Sequence, residues 1–520
     1  MWRGRIARIA TRKETTLEKT QRQGVLVRQP HRRLSEEQVR LIDGTSRDLL
    51  QDPGLLCYNR EAADLYAKAG ARVDPGDDFA RVSLSPEVVD RALEAAPSTV
   101  TLGARKPENR LILDAAEPRV RFVSGSETNV WLDVTYDGAG PPRLTRQAGS
   151  IERLCRSAHL CDHLEHLDAF IRNVNIQDEA VTNANKDVNK FLASLNNITK
   201  HVQAGLTTLA SLDDVLRLGQ IVAGGEEAFA AEPVLSFIAC VIKSPLQVVD
   251  DTASKVIAVA RRGVPIVISS CPMAGATAPF DEFGMVAQIN AELLAGVTLT
   301  QLAREGAPVL YGSVPVRTRL DNLNDMYGAP EFTHYNVDCA QMARFYRLPC
   351  YSTSGVGDTS EPGIQATAEK MLTYMSVPFA GPQYVHYAFG LLERTNVFCP
   401  EQAVLDDAHI GMVKFAMAGP DGVAADRRDE ILAAAREVMA TDHKTFIYHL
   451  PMPTREAVYV AYPMECDTGD ALRAAHEAYH EILDRPRNPL PQGIQTDIRN
   501  HVPGVLEEAL AGAPVGKDSS

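Results

Sequence analysis

The sequence predicts an α/β protein: a (β/α)8 TIM-type barrel with an N-terminal helical cap and a C-terminal helical extension. Three observations predict it. Short, apolar, β-branched runs recur through the middle of the 520-residue chain, and segments of helical length and period separate them. No GxGxxG or GxxxxGK[ST] phosphate fingerprint is present, which an open doubly wound sheet would carry after its first strand.

The first 34 residues read as a basic, disordered tail. Residues 1–40 hold 11 Lys and Arg against 4 Asp and Glu, and no apolar stretch resembles a secretory signal. Residues 35–118 read as a helical cap: "LSEEQVRLIDGTSRDLLQD", "NREAADLYAKAGARVD" and "SPEVVDRALEAAP" each begin with a capping residue followed by acids. The barrel is assigned to 119–423. "RVRFVSGSETNVWLDVT" at 119–135 alternates like a hairpin or an extended lead-in, with 125–129 as a turn or, alternatively, a binding stretch through its hydroxyls.

Seven runs then follow as strands: 167–176, 198–206, 233–241, 264–270, 308–314, 348–354 and 384–390. Residues 424–520 are assigned to helices packed outside the barrel, such as "RRDEILAAAREVMA" and "GDALRAAHEAYHEIL", and a loose tail.

Composition narrows the function. Hydrophobic residues make up 45% and charged residues 23%, and no apolar run approaches the ~20 residues that span a bilayer, so a soluble protein is expected. Nine single cysteines without a CxxC pair suggest buried thiols in a reducing, cytoplasmic setting. The net charge is −14, and beyond residue 40 the chain carries 42 basic residues against 63 acidic ones. An acidic body disfavours nucleic acid and anionic membranes and favours small cationic ligands.

In a barrel the chemistry lies at the C-terminal strand ends. Those positions hold Lys200, His201, Lys243, Ser244, Cys271, Tyr311, Tyr351, Asp358, Tyr384, His386 and Phe389. The tyrosines and Phe389 could cage a quaternary ammonium, because ring faces attract a cation that offers no N–H; the alternative is that they are packing. In "GVGDTSEPGIQATAEK" at 355–370, two glycines precede Ser360 and Pro362, which place a helix start near 361, and Gln365 and Glu369 then share a face. Asp358, Gln365 and Glu369 either approach the bound cation or form a turn and a solvated face. A competing cluster, Cys155, His159, Cys161, His163 and His166, has helical spacing compatible with zinc, so a zinc-dependent barrel hydrolase is an alternative. A non-catalytic quaternary-amine-binding protein is another. No catalytic nucleophile can be assigned.

Several stretches carry a resemblance: "AADLYAKAGARVD…RVSLSPEVVDRALEAAPSTVTLGAR", "SPL" at 244–246, "GVPIVISSCPMAGATAPF" and the 355–370 loop. They resemble the trimethylamine methyltransferase superfamily, in its branch lacking pyrrolysine and like glycine betaine methyltransferase. The resemblance implies transfer of a methyl group from a quaternary amine to the Co(I) of a separate corrinoid protein, with no cofactor bound by the chain itself. It also implies a homo-oligomer. In the pyrrolysine-containing branch the special residue lies in the loop around Asp358 to Glu361; here that loop has ordinary residues, and it departs from the "SDxKxxD"-like stretch common in relatives. The expected substrate is therefore a betaine, its cationic head held by rings and its carboxylate by a group such as Lys200, His201 or Arg317.

Overall fold

The computed structural model describes residues 24–418, 428–442 and 470–512. Eight parallel strands are each followed by a helix. They are β1 (Arg119–Phe122), α1 (Ile151–His163), β2 (Phe170–Ile171), α2 (Lys186–Leu195), β3 (Val202–Ala204), α3 (Leu212–Ala223), β4 (Leu235–Ala239) and α4 (Asp250–Arg262). Then come β5 (Ile266–Ser270), α5 (Glu282–Ala303), β6 (Val309–Ser313), α6 (Pro330–Phe345), β7 (Cys350–Thr353), α7 (Ile364–Tyr374), β8 (Tyr384–His386) and α8 (Pro400–Met417).

The strands form a curled sheet in the order β1-β8-β7-β6-β5-β4-β3-β2, and Val25–Leu26 adds a ninth, antiparallel strand against β1. A parallel bridge joins Val123 to Ala169, the residues that border β1 and β2 at the two ends of that order. Strands covered on both faces need no alternation, and β5 accordingly reads IVISS with every residue buried. Glycines in left-handed conformations stop two of the helices, Gly224 (φ 91) after α3 and Gly263 (φ 69) after α4.

Residues 35–118 are mixed rather than helical. Helices Glu36–Gln51, Arg60–Lys68 and Pro86–Ala95 accompany strands Leu55–Cys57, Arg72–Asp74 and Ala80–Ser83, together with a hairpin of Thr99–Leu102 and Leu111–Asp114. The cap explains α5, which is buried from Met285 through Gln301 because it lies between the sheet and the cap helices. Its length and hydropathy would suit a membrane span, but 89% of that stretch is buried within the protein. Polar links cross the layer: Ser46 Oγ donates to Ala287 O at 2.8 Å, and Tyr66 Oη to Ala295 O at 3.0 Å.

The hairpin closes the N-terminal strand ends, with Gly103 N donating to Pro233 O and Lys106 N to Thr199 O. Of the expected basic tail, 1–23 lies outside the described residues, whereas 24–34 is ordered: Val27 N donates to Pro118 O and Arg33 pairs with Glu282 at 2.6 Å. The two expected C-terminal helices are present as Arg428–Ala440 and Ala471–Leu483, the second packed on α8 and α1. Most of the expected C-terminal tail, 513–520, lies outside the described residues.

The loops after β7 and β8 are fastened from below by one ion pair. Lys370 Nζ is 3.0 Å from Asp406 Oδ2, both side chains are fully buried, and the ammonium also donates to Gly355 O at 2.6 Å. Asp406 in turn accepts from Gly390 N at 2.7 Å and Gln402 Nε2 at 3.0 Å. Removing one partner of such a pair strands the other charge without solvent. Lys370→Met should therefore lower unfolding stability by ~3–5 kcal/mol in a urea titration; a loss below ~1 kcal/mol would show that the pair is not what holds these loops.

Candidate active site

The C-terminal strand ends and the loops that follow them form one rim of the curled sheet, its mouth. Side chains of β7 and β8 alternate between two environments. Ser352 faces the helix layer, where its Oγ lies 3.2 Å from Asn336 Oδ1, so Tyr351 faces the concave side. Tyr351 is the register partner of Tyr384; their rings stack at 5.8 Å and 23°, and Tyr351 stacks on His386 at 4.0 Å. The row continues from His386 to Tyr387 at 3.7 Å and from Tyr387 edge-on to Tyr327 at 6.2 Å. Tyr387 is half-buried and has φ 67, a left-handed conformation that a bulky residue adopts only when its surroundings enforce it.

His386 is neutral. Its Nδ1 lies 2.8 Å from Ser352 O and must donate, which leaves Nε2 as a buried acceptor with no protein partner. Burial pushes its pKa down to about 3, so it stays uncharged at physiological pH.

Two thiols open onto the mouth, Cys240 just past β4 and Cys271 just past β5; the other described cysteines are buried. Protein surrounds both on their remaining sides, and the resulting desolvation raises both thiol pKa values. The Tyr327 hydroxyl faces Cys271 and the Asp325 carboxyl. Two carboxylates stand at the rim, each beside an arginine. Asp325 is raised by burial and sits 3.8 Å from Arg394 Nε, while exposed Glu127, in the loop after β1, grips Arg172 with both oxygens, one contact being 2.6 Å. Behind this pair, Lys190 is pushed down to about 8 by burial and by Arg172, although Asp187 lies 2.5 Å away.

The loop of residues 355–370 braces the mouth. Asp358 Oδ1 accepts from Tyr327 N at 2.9 Å and Oδ2 from Gly328 N at 3.0 Å. Its own N–H donates to Glu369 Oε2 at 2.7 Å, and Glu369 Oε1 accepts from Gln365 Nε2 at 2.7 Å. Burial, with repulsion from Glu369 and Asp325, lifts the Asp358 pKa to about 6 despite those N–H donors. The helix begins at Ile364, three residues later than the capping signal suggests.

Of the sequence-expected residues, Tyr351, Tyr384 and His386 come together, but Tyr311 does not join them. It projects outward, where its hydroxyl donates to Asn290 of α5 at 2.8 Å. Phe389 is fully buried in the main core. Lys200 and His201 lie at the opposite end of β3, because only Val202–Ala204 is strand. There, Lys200 Nζ donates to Cys161 O and Leu164 O, and His201 Nδ1 meets Gly103 O. Ser244 donates to Glu292, and Arg317 lies over Phe280 and 3.5 Å from Glu331. The histidine cluster does not converge either: His159 Nε2 meets Ile482 O, His163 Nδ1 meets His159 O, and Cys155 is fully buried. Among the described residues no three His, Cys, Asp or Glu side chains are placed to hold a metal.

Sequence reasoning missed Tyr327, Tyr387, Cys240, Glu127, Arg172 and Asp325. Tyr387 and Cys240 lie within the expected strand runs 384–390 and 233–241 and were legible there.

The open mouth predicts selective alkylation. Iodoacetamide on the native chain should label Cys240 and Cys271 ahead of Cys57, Cys155, Cys161, Cys339, Cys350 and Cys399, slowly at pH 7 and faster as the pH rises, as read by peptide mass spectrometry. Equal labelling of the buried thiols would contradict this geometry.

Known proteins are similar to this chain over most of its length. The family model described as trimethylamine methyltransferase matches residues 2–450. A trimethylamine methyltransferase of Desulfitobacterium hafniense (strain DSM 10664 / DCB-2) is 29% identical over 481 residues, covering 91% of this chain and 94% of that protein. A glycine betaine methyltransferase of Desulfitobacterium hafniense (strain Y51) is 26% identical over 499 residues, covering 93% and 98%. A trimethylamine methyltransferase of Methanosarcina mazei is 30% identical over 492 residues, covering 91% and 94%. With the match running through the cap and all eight strand-helix units that build the mouth, the chain belongs to the trimethylamine methyltransferase family and is a methyltransferase.

Proposed function

We propose that this methyltransferase takes its methyl group from a quaternary amine, glycine betaine or a related betaine, and delivers it to the corrinoid of a separate protein. The observation that carries this reading is the mouth itself: a row of rings, Tyr351, His386, Tyr387 and Tyr327, beside the carboxyl of Asp325. Rings and carboxylates together favour a cation that has no N–H to donate. Glycine betaine methyltransferase among the relatives, and a loop of ordinary residues at 355–370, support a quaternary substrate over trimethylamine. Arg394, partly exposed beside Asp325, is the rim cation that a betaine carboxylate would meet.

The partner's reduced cobalamin supplies the nucleophile. The chain's own work is to hold the N–CH3 bond toward the open mouth while the nitrogen departs. A quaternary ammonium leaves as a neutral amine, so no acid has to be supplied, and neutral His386 with its Nδ1 hydrogen committed to Ser352 fits that requirement. The thiols, raised by burial, are poor nucleophiles, which fits direct transfer to the acceptor over a thioether intermediate. We further infer that the curled sheet closes as a (β/α)8 barrel. The Val123–Ala169 bridge, Asp168 N donating to Phe122 O at 2.8 Å and Ser124 Oγ to Ile171 O at 2.9 Å support that closure. A cytoplasmic homo-oligomer completes the reading.

Incubation with reduced cobalamin should give methylcobalamin and demethylated amine from at least one of glycine betaine, carnitine and choline, and none from trimethylamine. Absence of methylcobalamin with the whole panel would sink the proposal. Tyr387→Ala should weaken binding of the active substrate by roughly 3- to 30-fold, the range of one cation–π contact. Its melting temperature should stay within a few degrees of wild type.

A further inference from the structure

The 355–370 loop reaches Tyr327 of the aromatic row through the backbone of another loop. Tyr327 and Gly328 lie between the short strand Asp325–Met326 and α6, and nothing in regular secondary structure holds their N–H groups. Asp358 accepts both, one on each carboxylate oxygen, and is itself pinned by Glu369. The fit is close: a Cβ on Gly328 would lie 2.5 Å from Glu369 Cγ. Tyr327 in turn sets its ring against Tyr387 at 6.2 Å and faces its hydroxyl to Cys271.

We propose that Asp358 is a positioning residue for ligand selectivity: by clamping the backbone of Tyr327 it sets the spacing between Tyr327 and Tyr387, without contacting the ligand. This rests on the reading of the mouth as a quaternary-amine site. It gives the loop a role that does not depend on reach. Sequence changes between residues 355 and 370 alter which cation fits by moving the wall, so a loop that diverges from its relatives can accompany a different substrate.

The clamp also carries a pH signature. Two backbone donors are best satisfied by the carboxylate, whose pKa is about 6. The charged groups around it are Glu369 from α7, Asp325 from the preceding loop, and Glu393 and Arg394, whose backbone N–H groups donate to Thr359 O and Gly357 O. Cation binding favours the ionised clamp, so affinity should rise with pH through about 6 and level off above it.

Titration calorimetry on the full chain with glycine betaine and with tetramethylammonium tests this. Asp358→Asn should weaken glycine betaine roughly tenfold and shift its ratio to tetramethylammonium by more than ~threefold, with the rise through pH 6 lost. In a Tyr327→Ala background the same substitution should add less than about twofold, because its route to the ligand is gone. An undiminished effect in that background would mean that Asp358 acts on the ligand by its own charge, and would overturn the proposal. If Asp358→Asn does not fold, Glu369→Ala, which frees the Asp358 N–H, carries the test with the same loss of affinity and the same dependence on Tyr327, its rise with pH moving below 6 as the repulsion from Glu369 is removed. Wild-type binding with unchanged affinity in the variant overturns this inference alone; a wild type that binds neither cation overturns the functional reading and this inference with it.

Discussion

The buried pair Lys370–Asp406 is the constraint on which the mouth depends. It ties a carbonyl and an amide, Gly355 O and Gly390 N, that belong to different strand exits, alongside the direct backbone bonds Ser354 N to His386 O and Gly357 N to Leu391 O. Burying two charges is expensive, and their mutual attraction alone does not make the arrangement favourable. What it secures is specificity: with both ions fully desolvated, a loop displaced by one residue would leave a charge unpaired. The glycines at its ends have the matching geometry. Gly355 (φ 97) passes so close to Tyr374 and Ala388 that a Cβ would lie 2.6 Å from the ring, and Tyr374 Oη donates to Ala388 O. Strands β7 and β8 therefore leave the sheet as one braced unit, and the row Tyr351–His386–Tyr387 runs along it.

The same burial logic governs the electrostatics of the mouth. Asp325 and Asp358 are both pushed upward by desolvation, Asp358 also by its acidic neighbours Glu369 and Asp325, while Arg394 and the Tyr327 hydroxyl only partly offset the rise at Asp325. A site with carboxylates held in this strained condition gains by admitting a cation and gains little from an anion. The thiols lean the same way, since desolvation favours their neutral form, and soft neutral sulfur beside aromatic rings is a surface for methyl groups rather than a source of nucleophile. Charge on the Glu127–Arg172 pair is compensated locally, so the attractive field comes from the β6–β8 side.

Much of this was readable in the sequence, and the unreadable part has physical causes. Runs of buried β-branched residues identified seven of the eight parallel strands, because strands covered on both faces are apolar throughout. The eighth, Arg119–Phe122, was masked by two arginines, one of which, Arg121, is buried. That same continuity erases the alternation that says which way a side chain points. Nothing in "PVLYGSV" distinguishes Tyr311, which faces α5, from Tyr351, which faces inward. The run 198–206 was too generous: its first residues precede a three-residue strand, so Lys200 and His201 fell at the closed end. Tyr327 and Asp325 were invisible because they stand in a long loop whose form is set by Asp358, a contact 31 residues away in sequence.

Burial also decides which rings can meet a ligand. Tyr351 and Tyr384 are 1% and 0% exposed and stack on each other, so their contribution is to hold His386 and Tyr387 in place. Tyr387 alone in the row is half-buried, and it is the member whose backbone is forced into the left-handed region. A bulky residue at φ 67 costs of order 1–3 kcal/mol, which the contacts around it must sustain. The strain turns one ring of an otherwise enclosed row toward the opening, between the exposed thiols and Asp325. The loop at 355–370 supports that turn from behind through Tyr327, and so shapes a site that its own side chains do not enter.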